Sequence, residues 1–305
     1  MQFPQAVPLL PTIDKDNCLY FQKGVCQICQ RFCPAGAVDF DQKAEEITLD
    51  VSTMIVATGF DLFDPSVIKE FGYKKYKNVL TALELERLVN AAGPTGGKLL
   101  RPSDNKMAHK IAFIQCVGSR SQRDGRGFPY CSSACCMYAT KEALIIKEHD
   151  PESDVSIFYN ELMVFGKGFQ DFLNRAKQDY GVKYIRGRPG EILEDPQTKD
   201  LTLVFEDTLN RKINSSKVDL VVLCTALIPR PDNRKLANIL GVELDEYGFF
   251  KNRDPIYAPL DTNVPGVFIC GYCQAPKDIP ESVAQASGAA ARAAEIVVSA
   301  AHVEV

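Results

Sequence analysis

Eight of the chain's eleven cysteines stand in two tight groups, and thiols so close in sequence are suited to hold a soft metal centre. The first group is Cys18, Cys26, Cys29 and Cys33, the last followed by Pro34. A C-x-x-C-x-x-x-C-P run is close to the one that holds a cubane iron–sulfur cluster, and its Cys before Pro can ligate a neighbouring cluster. Seven residues separate Cys18 from Cys26 where the usual run has two, so the loop carries an insertion of about five, Tyr20–Gly24. Either all four thiols close one cluster, or Cys33 serves a second cluster with ligands outside this chain. Zinc is the alternative occupant, although zinc knuckles pair two C-x-x-C units and this run has one. The second group is Cys116, Cys131, Cys135 and Cys136. Adjacent helical residues point about 100° apart, so Cys135 and Cys136 can share a centre only if it lies close to the backbone. The other reading is a buried, apolar Cys136 beside a redox-active pair. Two such centres in one chain point to electron transfer.

The remaining cysteines read differently. Cys224 lies mid-strand in an apolar run and reads as a small core residue. Cys270 and Cys273 flank a Gly turn, where a redox-active dithiol is the alternative to a structural role. Composition sets the bounds. At 305 residues the chain has room for two domains of about 100–200 residues. Its 46% hydrophobic and 24% charged residues suit a globular protein, and a net charge of −4 gives no reason to expect nucleic acid. No run of about 18 apolar residues could span a bilayer. The amino terminus lacks a signal-type start, which places the chain in the cytoplasm, where clustered cysteines serve as metal ligands rather than disulfides. The three histidines, His109, His149 and His302, carry no assignment.

The elements that would position these thiols are short β-branched runs alternating with amphipathic stretches. Strands are expected at Thr53–Thr58, Ile111–Cys116, Val155–Tyr159 and Leu220–Thr225. Helices are expected at Ser132–Glu148, Phe169–Gln178 and Ser282–Val298, with Ala134, Ala139, Leu144 and Ile145 on one face of the first and Ala284, Ala291 and Ile296 inward on the last. Ile192–Glu206 reads as a hairpin around Asp195–Pro196. This alternation predicts an α/β architecture with doubly wound sheets. Cys116 then ends a strand and Cys131 opens a helix, the place where a nucleotide-binding fold would carry G-x-G-x-x-G; the chain has Gln115–Arg120 (QCVGSR) instead. Lys74–Lys77 and Arg120–Arg126 are small basic groups that read first as solvated surface, with docking of an acidic ferredoxin as the alternative.

In order along the chain, FPQAVP, CxxCxxxCP with AGAVDFDQK, IVATGFDLFD, GPTGGKLLRPSD, FIQCVGSR, YCSSACCMYATKEA, FGKGF, DEYGFF and CQAPKDIPESVAQASGAAA resemble the flavin-carrying A-type component of heterodisulfide reductase and its bacterial relatives. The second cysteine set and PKDIPES are the most specific parts. The resemblance implies a thioredoxin-reductase-like, two-domain Rossmann-type flavoprotein with a ferredoxin-type iron–sulfur insert. On that plan residues 1–60 are part of the FAD domain with the insert at about 12–42. Residues 61–218 form a degenerate nucleotide-binding-like domain with the second cluster, and 219–305 complete the FAD domain.

It further implies FAD and two 4Fe-4S clusters, with Cys18, Cys26, Cys29, Cys33, Cys116, Cys131, Cys135 and Cys136 as ligands. The flavin would contact Ala57, Thr58, Gly59, Gly271, Lys277, Ile279, Pro280, Ser282 and Val283. Lys277 would hold a proton near flavin N5, the alternative being an exposed loop lysine. The helix start at Pro280–Ser282 would lend positive charge and free N–H groups. Two departures stand out. Tyr272 replaces the Asp that usually grips a flavin hydroxyl, and no G-x-G-x-x-G is present, so a separate chain or missing segment would complete the FAD site. With no second G-x-G-x-x-G, direct hydride transfer from NAD(P)H is not expected. The implied role is an electron hub, bifurcating in some members. Its partners would be B- and C-type subunits, a hydrogenase, formate dehydrogenase or NADH-oxidising donor, and ferredoxin, in a dimeric complex. A stand-alone disulfide reductase using Cys270 and Cys273, and a zinc-stabilised scaffold, are the alternatives.

Overall fold

The computed structural model describes residues 12–43 and 46–301; the FPQAVP stretch and His302 lie outside them. The chain divides into a unit ending at Val51 and a second starting at Ser52. In the first, helix α1 (Leu19–Lys23) is opened by Cys18 and closed by Gly24 in the left-handed region, so the insertion in the cysteine run is a single helical turn. Helix α2 (Ile28–Arg31) follows Cys26 and Gln27, both at positive φ. Tyr20 and Phe21 pack on Phe40, with ring centroids 4.1 and 5.7 Å away. Leu19, Val25, Ile28 and Phe32 stay exposed. So small a unit buries too little apolar surface to be stable alone, and units of this size depend on a metal or a partner.

The second unit runs β1 (Met54–Val56), β2 (Asp61–Leu62), β3 (Val79–Thr81), α3 (Ala82–Val89), β4 (Lys110–Val117), α4 (Cys135–His149), β5 (Asp154–Tyr159), α5 (Phe169–Gln178) and β6 (Lys183–Arg186). It continues through β7 (Pro189–Glu194), β8 (Leu201–Asp207), β9 (Lys212–Val218), β10 (Leu220–Thr225), β11 (Leu227–Ile228), α6 (Asn233–Leu240), β12 (Val267–Ile269) and α7 (Ile279–Ala301). Five parallel strands form the main sheet in the order β3-β10-β4-β5-β6. Side chains alternate across it: Ile111 and Phe113 join a core with α3, α4 and α5, while Ala112 and Ile114 face β7 and β8. Helices therefore cover one face and the antiparallel sheet β7-β8-β9 roofs the other, so the layer is not doubly wound. The crossover from β6 to β10 is built from hairpin strands instead of a helix. Because β10 sits between β3 and β4, this sheet draws on residues on both sides of the 218/219 boundary.

A smaller parallel pair joins β1 to β12, with Val56 opposite Ile269, and β2 pairs antiparallel with β11. Helix α7 packs on β12 through Ala289, Ala293 and Ile296. Ala284 and Ala291, expected inward, are exposed. Its first residue is Ile279, three before the expected Ser282, because Asp278 and Glu281 exchange hydrogen bonds with each other's backbone N–H at 2.9 and 2.8 Å. This is a capping box, and Asp278→Ala is expected to lower the unfolding free energy by about 1 kcal/mol, read by denaturant titration.

Candidate flavin and cysteine sites

Parallel pairing of β1 and β12 brings the turns after both strands to one edge, the edge at which open α/β sheets bind ligands. Gly59 and Gly271 stand there at φ 75° and 74°, a conformation that strains any residue with a Cβ. A side chain on Gly59 would meet only open space, so its backbone is approachable; at Gly271 it would point to Ser282, 3.9 Å away. Thr58 donates to Asn233 Oδ1 at 2.9 Å and Gly271 N–H donates to Gln285 Oε1 at 2.9 Å, which fixes both turns. Ala57, Ile279, Pro280 and Val283 are exposed around them. The structure thus brings the nine candidate flavin residues to one end of the β1–β12 pair. Pro280 has no N–H and that of Glu281 is taken by Asp278, so the start of α7 offers its dipole, not the row of free donors expected.

Lys277 is buried, not the exposed loop lysine of the alternative reading. Its Nζ donates to Gly271 O (3.0 Å), Gln274 Oε1 (2.9 Å) and Ala275 O (2.7 Å), and burial lowers its pKa from the usual lysine value. It closes the loop between β12 and α7. Beside it lies a cavity of about 650 Å³, lined by Lys277, Pro280 and Ser282 on one side and by Ser133, Ala134 and Met137 of the α4 entrance on the other.

The second cysteine group sits at that entrance. Opposite Cys224, strand β4 carries one extra residue: Ile114 pairs with Leu223 and Val117 with Thr225. The bulge falls at Gln115–Cys116, where Cys116 takes φ 59°, and a bulge re-aims the side chain it contains. The following loop returns on itself through Phe128 N–H to Gly118 O (2.8 Å); Gly127 must lack a side chain because a Cβ would lie 2.1 Å from Gly118 O. Cys131 therefore lies in a turn before the helix, not at its opening, and Cys135 and Cys136 occupy the first turn of α4. Burial, with the neighbouring Cys136 and Cys131, pushes the Cys116 thiol up to about 11. Cys136 is raised by burial too, and accepts from Met163 N–H at 3.4 Å; Cys131 accepts from Ser133 N–H at 3.4 Å. Cys135 points elsewhere: its thiol donates to Thr225 O at 3.9 Å within the core, and burial takes it to about 12. Gln115 holds the Cys135 carbonyl.

In the first unit Cys33 accepts from Ala37 N–H at 3.4 Å, and such backbone donors lower its pKa. The thiols as they stand form no group of three or more ligands disposed around a single metal ion among the described residues. The donor set nevertheless fits an iron–sulfur centre in chemistry: thiols with N–H groups aimed at sulfur, desolvated at the second group, exchange protons for metal on loading. Two arginines lie beside that second group: Arg120, which reads as solvated surface in the sequence, and Arg188, which carries no signal there. Arg120, paired with Glu161, is held charged in part by Cys116 and Cys131, and half-buried Arg188 is lowered by desolvation, which the neighbouring Cys116 opposes. Arg126 pairs with Glu70 and Lys74 with Asp64, so these basic groups are engaged within the chain.

Tyr272, which replaces the usual Asp, is buried and shares its one hydroxyl proton between Ser132 O (3.2 Å) and Leu227 O (3.3 Å), tying the flavin-side turn to the residue after Cys131. Cys224 is buried in the core as expected. Cys270 packs with Phe268 and Ala289, whereas Cys273 packs with Val56 and Phe250. Both thiols are raised by burial, which makes them poor nucleophiles.

No protein-family model matches the chain. It is 52% identical over 288 residues to the iron–sulfur A-type component of the CoB–CoM heterodisulfide reductase of Methanocaldococcus jannaschii, covering 94% of this chain and 43% of that protein. It is 49% identical over 294 residues to the A-type component of the H(2):CoB-CoM heterodisulfide,ferredoxin reductase of Methanothermobacter thermautotrophicus, covering 96% and 43%. A third relative, the corresponding component of the H(2)/formate:CoB-CoM heterodisulfide,ferredoxin reductase of Methanococcus maripaludis, is 49% identical over 292 residues, again covering 96% and 43%. The chain therefore spans about two fifths of the length of these relatives. In structure it resembles the thioredoxin reductase of Lactococcus lactis, with a TM-score of 0.50 at 18% identity over 81% of this chain and 66% of that one. That likeness gives the fold: α/β, of the thioredoxin-reductase flavoprotein kind. No helix among the described residues is long and apolar enough to cross a membrane.

Proposed function

The chain is a homologue of the A-type component of heterodisulfide reductase, and from that premise we propose that it is an oxidoreductase segment carrying FAD and two 4Fe-4S clusters. It passes electrons between a donor oxidoreductase, ferredoxin and a disulfide- or sulfur-reducing module in a cytoplasmic complex, splitting electron pairs between two acceptors. Hydrogenase or formate dehydrogenase is the donor this reading favours, since relatives are named for H2 and formate; B- and C-type subunits complete the assembly. One observation carries the proposal: the cavity beside Gly271 and Lys277 opens directly onto the turn that holds the second cysteine group.

Bound there, FAD would take up electrons in pairs and release them singly. The chain's own residues do the rest. Gly59 and Gly271 let backbone approach the cofactor. Lys277 fixes the turn and holds a proton at its Nζ next to the cavity, while the α7 dipole favours negative charge at its start. The apolar walls exclude water. Cys116, Cys131, Cys135 and Cys136 would hold one cluster, and Cys18, Cys26, Cys29 and Cys33 the other. Cys270 and Cys273 pack into different apolar clusters and burial raises both thiols, which gives no support to an exchanging dithiol. Titration with FAD, alone and with native partners, tests the reading. We expect weak binding by the isolated chain and stoichiometric binding in the complex, together with broad absorbance bleached by dithionite. A colourless complex holding only zinc would overturn it.

A further inference from the structure

One carboxyl group in the cavity has no role in the scheme above. Glu142 lies on α4 two turns beyond Cys135 and lines the cavity, yet it is only 1% exposed. Its Oε2 has no hydrogen-bond partner within the protein. The charged groups around it do not neutralise it. Lys141, its neighbour, favours the ionised form but reaches out to Glu86 of α3 at 3.1 Å, and that carboxylate opposes ionisation of Glu142. From its own helix it faces Tyr138, and from β10 it faces Cys224, both held protonated by burial. Burial therefore dominates and pushes the Glu142 carboxyl up to about 8, so at neutral pH it is an acid with a proton to donate. A buried donor without an acceptor is costly, and a ligand atom is what would remove that cost.

We propose that Glu142 is a positioning residue whose carboxylic acid donates a hydrogen bond to an acceptor atom of the flat heterocyclic ring bound in this cavity and keeps a proton beside that atom. The proposal rests on the cavity being the flavin's. Lys277 at one wall and Glu142 at the other would then bracket the ring with two proton-bearing groups of opposite charge type.

Infrared difference spectroscopy of the complex with its native partners tests this without turnover. The carbonyl stretch of a protonated carboxylic acid should be present at pH 7, titrate away near pH 8, and shift when the bound flavin is bleached by dithionite. In Glu142→Gln, with flavin retained, that signal should vanish. Glu142→Leu should weaken flavin binding roughly tenfold. Thermal melts verify that both variants are folded, and the wild-type signal stands as evidence without either. Met137→Trp, which fills the cavity, separates the two possible failures. If it expels the flavin while the wild-type carbonyl signal does not respond to bleaching, the cavity is the flavin's and the Glu142 assignment falls alone. If flavin stays bound in Met137→Trp, the cavity is not its place and both assignments fall.

Discussion

Cys136→Ser should abolish the second iron–sulfur centre and halve the iron and sulfide of the chain, from about eight of each to about four. Cys136 lies in the first turn of α4 with Met163 N–H directed at its sulfur, and it perturbs Cys116 across the turn. A serine oxygen at this position is a poor ligand for iron held by sulfur. The neighbouring residue makes the comparison informative. Cys135 diverges into the core toward Thr225 O, and its backbone carbonyl is held by Gln115. Equal loss in Cys135→Ser would mean that the helix start turns to bring both sulfurs to the centre. Unchanged iron in Cys135→Ser would leave Cys116, Cys131 and Cys136 as its ligands from this group. Cys224→Ala, one strand away, should keep full iron. If Cys136→Ser retains full iron, the second centre is not where the thiols converge.

Lys277→Met is expected to cost about 2–4 kcal/mol of stability and to release the flavin from the complex. The estimate follows from the three charge-assisted hydrogen bonds that Lys277 makes in the loop between β12 and α7: Ala275 O would lose its donor, while Gly271 O and Gln274 Oε1 would keep only Gln274 N–H and the Gln285 side-chain amide. Methionine matches the length of the aliphatic stem, so lost packing is a minor part. Denaturant titration reads the first effect and visible absorbance of the purified complex the second. Full flavin occupancy together with unchanged stability would show that the loop holds itself. Lys277→Arg separates charge from shape, because a guanidinium is too broad for the ammonium's three converging acceptors. It should restore the charge without restoring the flavin.

Periodicity and spacing are informative where side chains contrast. The bounds of β10 and α5 agree with the pattern of Leu220–Thr225 and Phe169–Gln178. The turn at Asp195 likewise sits between β7 and β8. Strand β9 is illegible in the sequence because Lys212–Val218 is polar and mostly exposed, an edge strand with no buried face to mark it. The inward face of α7 misleads for the opposite reason: alanine at seven of the eleven positions from 284 to 294 gives little contrast, and Ala289 rather than Ala284 or Ala291 meets the core. The Asp278–Glu281 pair that starts this helix is readable as D-x-x-E. Spacing places Cys116, Cys131 and Cys136 as neighbours at one strand-to-helix turn, and it also carries the divergence of Cys135, whose thiol turns into the core instead of joining them. Glu142 could have been found as the one carboxylate on the buried face that carries Cys135, Ala139 and Ile146. Arg120 is legible four residues after Cys116, but Arg188 is not, since it arrives from the turn before β7, far away in sequence.

Tyr272 matters in this architecture for what it prevents. Its hydroxyl, wedged between two carbonyl oxygens, acts as a strut between the strand that presents one candidate redox site and the turn that presents the other. Electron tunnelling falls off steeply with separation, so a hinge at this point would make the transfer rate wander with thermal motion. With the strut in place the spacing of the two candidate sites is fixed by covalent geometry and one shared hydroxyl proton, so under the proposed function a gate on electron transfer would not lie at this turn.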